Sequence, residues 1–120
     1  MQTLVALGAI MMFLAVALGA FGAHALKNVL VGDKLKTYQT GIQYHIAHGL
    51  GLILLGIIAD QSAHRSLIVT AGWFLLAGII LFSGSLYALS LTGIRKLGAI
   101  TPLGGICFLA GWAILLAAFL

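Results

Sequence analysis

Charged residues divide the chain into long apolar windows. The windows 1–26, 37–59, 66–94 and 97–120 contain no Lys, Arg, Asp or Glu. Each exceeds the ~20 apolar residues that cross the ~30 Å hydrocarbon core of a bilayer as a helix. Only helices and closed barrels satisfy backbone polar groups in lipid, and these windows are too long for barrel strands. The pattern therefore predicts an all-α fold, an integral membrane four-helix bundle.

The windows predict one membrane domain over 1–120 with helices near 2–24, 34–59, 67–91 and 102–120. Asp33 follows a glycine and is expected to be the N-cap of the second helix. Thr101 is expected to be the N-cap of the fourth helix. Pro102 would then occupy the first helical position, where its missing N–H breaks no helical hydrogen bond.

Composition excludes several classes of protein. Of the 120 residues, 62% are hydrophobic and 7% are charged, whereas about a quarter of a soluble globular domain is charged. The high hydrophobicity also excludes a disordered chain. The single cysteine, Cys107, allows no intrachain disulfide. The net charge of +4 does not indicate nucleic-acid binding, because no basic face with interleaved aromatic residues exists.

Basic residues are unequally divided between the two predicted sides of the membrane. The connections 25–36 and 92–98 share one side and carry Lys27, Lys34, Lys36, Arg95 and Lys96. The connection 60–66 lies on the other side with Arg65 alone. Lys and Arg are enriched in cytoplasmic loops, so both termini are predicted to be extracytoplasmic. Ala23-His24-Ala25 resembles a signal-peptide cleavage site, but no basic residue precedes Lys27, so 1–24 is interpreted as a retained span.

Small residues recur at helical spacing in each predicted helix. Such stripes let membrane helices approach closely and gain van der Waals contact. The glycines expected to pack against neighbouring helices are Gly8, Gly19, Gly22, Gly41, Gly49, Gly78, Gly104 and Gly111.

The second helix has an inverted amphipathic pattern. Polar and small residues, among them Tyr44, His45 and His48, fall on one side, and branched aliphatic residues such as Ile46 and Leu50 fall on the other. In a membrane the polar side is expected to face protein and the aliphatic side lipid.

Polar side chains are also segregated by depth. The predicted topology gathers them in the cytoplasmic half and leaves the outer half aliphatic. This half is predicted to contain a polar, candidate binding cluster of His24, Tyr44, His45, His48, Ser83, Ser85, Tyr87 and Thr101.

Several short motifs occur along the whole chain. They are Gly19-Ala-Phe-Gly-Ala-His24, Tyr38-Gln39, Tyr44-His45 with His48, Phe82-Ser-Gly-Ser-Leu-Tyr87, Ile100-Thr-Pro-Leu-Gly-Gly105 and Gly111-Trp112. In this order they resemble the motifs of the bacterial "domain of unknown function 423" family, whose eukaryotic relatives are called transmembrane protein 256. The resemblance implies a small four-helix protein of the bacterial cell (inner) membrane. It implies no activity and no catalytic residue.

The histidines allow two interpretations. His45 and His48 are three residues apart, and His24 would supply a third nitrogen for zinc or copper. Alternatively, each imidazole bonds to a neighbouring helix or a buried water. The second interpretation is favoured, because no intramembrane Asp, Glu or Cys stands nearby to complete a metal shell. No metal and no cofactor are therefore expected.

Two functions are compatible with these features. The first is a non-enzymatic accessory or assembly protein, or a small-ligand binder, whose partners are the lipid bilayer and a second copy or another membrane protein. The alternative is a proton- or metal-linked channel or transporter, although the polar lining stops halfway across. Hydrolysis is not expected, because Ser83-Gly84-Ser85 lacks the flanks of a nucleophile elbow and no acidic residue orients a histidine.

Overall fold

The computed structural model describes residues 2–120, and no strand occurs within that range. Its four long helices are α1 (Gln2–His24), α2 (Asp33–Asp60), α3 (Arg65–Thr92) and α4 (Thr101–Ala118). A 3₁₀ turn, Arg95–Ala99, leads into α4. All four helices, the last taken with this turn, are long and apolar enough to cross a bilayer. The predicted all-α membrane class is confirmed.

Both predicted N-caps are wrong by one residue. Asp33 and Thr101 are the first helical residues, and the capping positions are Gly32 and Ile100. Gly32 has a φ of 60°, a left-handed conformation that glycine adopts without steric cost. The Thr101 hydroxyl is hydrogen-bonded to that of Ser85 on α3 instead of capping its own helix. Pro102 lies in the first turn of α4 as expected.

The helices do not contribute equally to the interior. α1 packs mainly on α2, α2 on α3, and α3 on α4. The two outer helices, α1 and α4, bury 17% of their spans, whereas α2 and α3 bury 44% and 39%. The molecule is correspondingly flat, with dimensions of 50 × 26 × 17 Å. The outer helices therefore leave broad apolar surfaces for lipid or for another protein.

Glycines mark the closest helix contacts. A Cβ placed on Gly8 would lie 2.6 Å from Ile53 of α2, and one placed on Gly111 would lie 2.7 Å from Leu75 of α3. Seven of the eight predicted packing glycines are closely opposed in this way. Gly19 is different, since its nearest neighbour, Ile42, lies at an ordinary 3.8 Å. Close packing at these positions depends on the absence of a side chain.

The buried side chains form two apolar clusters and a set of polar residues. The basic end is the end formed by the connections 25–32 and 93–100; the terminal end holds both termini and the connection 61–64. The half nearer the terminal end is filled mainly by one aliphatic core, which comprises Leu4, Leu52, Leu55, Ala59, Ile68, Ala71, Leu75, Ile79, Phe108 and Ala118. A smaller apolar cluster of Leu26, Leu30 and Tyr38 lies at the basic end. The buried polar residues are His45, His48, Ser83, Ser85 and Ser90, and His48 lies near the middle of α2, stacked on Phe108 of the aliphatic core.

Candidate functional site

A π-helical segment, Ile79–Ser83, interrupts α3 where it passes between α2 and α4. A π turn contains an extra residue and rotates the side chains that follow it. The Ser83 hydroxyl donates to the Gly41 carbonyl of α2 over 2.7 Å. The Ser85 hydroxyl donates to the Phe82 carbonyl over 2.9 Å, so in its contact with Thr101 of α4 the threonine is the donor. The two serines thus bond helices on opposite sides of α3.

His45 belongs to a network that joins α1, α2 and α3. Its Nδ1 lies 2.8 Å from the Tyr87 hydroxyl, and the Tyr87 ring packs on that of Tyr38 with centroids 5.3 Å apart. The Tyr38 hydroxyl in turn donates to the Leu18 carbonyl of α1. The other nitrogen of His45, Nε2, is buried. It forms no hydrogen bond of normal geometry within residues 2–120.

His48 has both ring nitrogens engaged. Its Nδ1 lies 2.7 Å from the Tyr44 carbonyl, and the Trp112 indole N–H donates to its Nε2 over 3.0 Å. A carbonyl only accepts and an indole N–H only donates, so His48 is the neutral tautomer protonated on Nδ1. Neither nitrogen is left for a metal ion.

Aromatic rings surround His48 and form one wall of a groove. Its imidazole stacks on Phe108 with centroids 3.6 Å apart and lies parallel to the Tyr44 ring at 6.0 Å. The Phe82 ring lies 4.6 Å from that of Tyr44. We call the adjoining cavity of about 480 Å³ the aromatic groove; its lining is Tyr44, His48, Phe82, Pro102, Gly105, Ile106, Phe108, Leu109 and Trp112.

The aromatic groove opens on the outer surface of the molecule. Tyr44 and Trp112, on its two sides, are 42% and 40% exposed. Both belong to helices that are long and apolar enough to cross a membrane.

The structure divides the predicted polar cluster into separate groups. His45 bonds Tyr87 of α3, whereas His48 bonds Trp112 of α4. Ser85 and Thr101 form a third pair, and His24 is exposed at the end of α1. Within residues 2–120 no three His, Cys, Asp or Glu side chains lie close enough to hold a metal ion. The three-nitrogen site considered for His24, His45 and His48 is not assembled.

The aromatic groove includes residues that the sequence interpretation missed. The missed face of α4 contains Pro102, Gly105, Leu109 and Trp112, which recur at three- and four-residue spacing. That periodicity is the signal that would have found it. Only Gly104 and Gly111 of this helix were predicted to pack against a neighbouring helix, and both face α3.

These features define a small four-helix membrane protein whose buried hydroxyls and imidazoles mostly bond one helix to another. The chain belongs to the family described as protein of unknown function DUF423, whose model matches residues 18–105. The resemblance drawn from the motifs is therefore confirmed.

Individual relatives cover almost the whole chain. It is 49% identical to the UPF0382 membrane protein YwdK of Bacillus subtilis (strain 168), over 98% of this chain and 96% of the relative. It is 44% identical to the UPF0382 membrane protein SH2409 of Staphylococcus haemolyticus (strain JCSC1435), over 97% and 93% of the two chains. No solved structure matches the chain.

Proposed function

We propose that this protein is a non-enzymatic binder of a small, membrane-soluble molecule, which it holds in the aromatic groove. The observation that carries the proposal is the cavity of about 480 Å³ between α2, α3 and α4. Ligand sites of proteins commonly have volumes of this order, mostly apolar walls and a few polar groups that orient the ligand. The exposure of Tyr44 and Trp112 to the bilayer supports entry from the lipid.

The groove lining restricts the chemistry of the ligand. No charged residue lines the groove, and both nitrogens of His48 are already bonded. The Tyr44 hydroxyl forms no hydrogen bond with another described residue. We infer that the ligand is neutral, contains a flat ring that packs on the aromatic wall, and has an oxygen that accepts a hydrogen bond from Tyr44.

The same geometry supports a non-enzymatic role. The protons of Ser83 and Ser85 go to backbone carbonyls, so neither hydroxyl is paired with a base. His48 has no free nitrogen to act as one. A nucleophile activated by an adjacent base is therefore not built from these groups.

We propose further that the protein lies in the bacterial cell membrane with its basic end toward the cytoplasm and both termini outside. Five of its six basic residues lie at that end. The remaining one, Arg65, is 4.0 Å from Asp60 at the terminal end. The asymmetry follows the usual excess of Lys and Arg in cytoplasmic connections.

The other functions predicted from sequence have less support. A channel or transporter requires a hydrated or gated path across the membrane, whereas the terminal half is filled by the aliphatic core that includes Leu4, Leu52 and Leu75. An accessory or assembly role, and a homo-oligomer, would use the exposed outer faces of α1 and α4. These stay predictions.

A pair of glycine substitutions tests the proposed function. Gly105→Leu fills the aromatic groove, because the Cβ position of Gly105 has only Phe82 nearby, at 4.0 Å. Gly19→Leu is the matched control, because a Cβ on Gly19 also meets no atom closer than 3.8 Å, whereas Gly19 lies in a different groove. Leucine is also the better helix former in both places.

The measurement uses Trp112 fluorescence in lipid nanodiscs, with Trp73→Phe as background so that a single indole emits. The probe is 4-bromoacetophenone, a neutral aromatic ketone whose bromine quenches indoles on contact. We expect saturable quenching that Gly105→Leu abolishes and Gly19→Leu leaves unchanged. Quenching that rises linearly with probe in all three proteins would overturn the proposal, because it reports only collisions in the lipid.

A further inference from the structure

We propose that the groove between α1 and α2 at the basic end binds an anionic phospholipid. This second cavity, the amide groove, has a volume of about 410 Å³. It shares no residue with the aromatic groove. Its lining is Gly19, Gly22, Ala23, Leu35, Tyr38, Gln39, Ile42 and Gln43.

The amide groove places unpaired amides on a lipid-facing helix surface. Lys36, Gln39 and Gln43 recur at three- and four-residue spacing and share one face of α2. The same face continues into Ile46 and Leu50, which are exposed for contact with acyl chains. Neither glutamine side chain hydrogen-bonds another described residue. Both side chains are exposed, so their amide groups are free to hydrogen-bond a polar head group.

The amides lie at the depth of lipid head groups. α2 has 28 residues, which gives a length of about 42 Å against a hydrocarbon core of about 30 Å. The part of α2 that exceeds the hydrocarbon core corresponds to about eight residues. It is expected at the basic end, because the first turns of α2 carry Lys side chains that must stay outside the hydrocarbon. Gln39 and Gln43 then lie near the ester and phosphate region, where their N–H groups meet carbonyl and phosphate oxygens.

The positive charge of the basic end favours an anionic head group over a zwitterionic one. The basic end carries Lys27, Lys34, Lys36, Arg95 and Lys96, and its single acidic residue is Asp33. Each basic residue near a membrane surface contributes about 1 kcal/mol of attraction to anionic lipid. Lys36 does not line the groove, but it lies on the same face of α2 about one turn before Gln39, so its ammonium group is the one expected to meet the phosphate.

The walls of the amide groove suit an acyl chain and are preformed. The α1 side of the groove is lined by Gly19, Gly22 and Ala23, and the α2 side includes the apolar Leu35 and Ile42. The Tyr38 hydroxyl donates to the Leu18 carbonyl and holds the two helices at a fixed separation. A preformed site loses less conformational freedom when its ligand binds.

The test counts lipids retained by the full chain. Protein from nanodiscs of equimolar phosphatidylcholine and phosphatidylglycerol is analysed by native mass spectrometry, and the ratio of retained phosphatidylglycerol to phosphatidylcholine is measured. Lys36→Gln should lower this ratio about fivefold, the equivalent of one basic contact. Gln43→Leu should lower retention, and Gly19→Leu should abolish it by filling the groove. Gly105→Leu, which fills the aromatic groove, should have no effect.

Two controls separate this site from other sources of anion binding. Lys96→Gln removes the same charge from the same end outside the groove and should leave the ratio unchanged; an equal fall in both lysine variants would overturn the proposal in favour of diffuse surface attraction. Inorganic phosphate added in excess should not displace the lipid. Displacement by phosphate would contradict a phospholipid site and indicate a soluble phosphate ligand.

Discussion

The indole N–H of Trp112 on α4 donates a hydrogen bond to Nε2 of His48 on α2 over 3.0 Å. The opposite nitrogen donates to the Tyr44 carbonyl in the same helix. These two bonds hold the neutral imidazole in a fixed orientation and connect α2 to α4. In this orientation the imidazole stacks on the Phe108 ring. The aromatic wall that these rings form is the part of the molecule best suited to a ligand.

Removing the Trp112 donor should weaken the bundle. We expect Trp112→Phe to lower the free energy of unfolding in mixed micelles by about 1 kcal/mol, the usual net contribution of a hydrogen bond. Trp73→Phe is the control, because Trp73 is exposed and forms no hydrogen bond with another described residue. Equal effects of the two changes would contradict the role assigned to the His48–Trp112 bond.

The tautomer of His48 is directly observable. Nitrogen-15 NMR of the labelled protein should show a protonated Nδ1 and an unprotonated Nε2 for His48, since the carbonyl and the indole demand these states. Trp112→Phe should leave Nδ1 protonated, because the Tyr44 carbonyl still accepts its hydrogen bond, and should shift the Nε2 resonance, because that nitrogen loses its donor. A spectrum with Nε2 protonated in the unaltered protein is incompatible with the geometry described.

Metal binding is expected to be absent from the histidines of α2. His48 has no free nitrogen, and His24 is exposed at a distance from the other two histidines in the fold. Purified protein equilibrated with zinc or copper(I) and then dialysed should retain no stoichiometric metal. If it does retain metal, and His45→Ala and His48→Ala release it, the account of these side chains is wrong.

Two glycines near the π segment should respond in opposite directions to alanine. A Cβ on Gly104 would collide with the Phe82 backbone, whereas one on Gly84 would meet no atom within 4 Å. We expect Gly104→Ala to destabilise the protein by about 1–3 kcal/mol, because a backbone neighbour does not move aside easily. Gly84→Ala should stabilise it by up to about 1 kcal/mol through helix propensity. Thermal unfolding in detergent measures both, and similar values for the two would contradict the close contact.

The orientation is tested by a reporter fused to the C-terminus. A reporter that functions only in the cytoplasm should be inactive there, because the basic end is proposed to face the cytoplasm. The same reporter inserted after Lys96 should be active. The reverse pattern would refute the topology.

Sequence reasoning succeeded where one physical constraint dominates. The charge-free windows predict the membrane helices because lipid excludes charge and unpaired backbone, and the glycine spacing predicts helix contacts because only small residues permit them. The separation of His45 and His48 was not predicted from the sequence. Three residues on a helix are separated by about 60° around its axis, which is enough to direct one imidazole to α3 and the other to α4.

The π segment is the second feature that the sequence did not predict. Nothing in Ile79–Ser83 distinguishes it from an ordinary apolar helix, since the extra residue per turn is accommodated by tertiary packing against Gly104. The rotation it introduces determines where Ser83 and Ser85 point. The positions of these hydroxyls therefore depend on the assembled bundle and not on local preference.

The aromatic groove is proposed to hold a neutral ring whose oxygen accepts a hydrogen bond from Tyr44. The most direct test compares Trp112 quenching by 4-bromoacetophenone and by 4-bromoethylbenzene, which differ only in the carbonyl, in the unaltered groove and in Tyr44→Phe. The account predicts saturation by the ketone at about a fivefold lower mole fraction in lipid, the equivalent of one hydrogen bond, and loss of this difference in Tyr44→Phe. Absence of saturable quenching by either probe would contradict it.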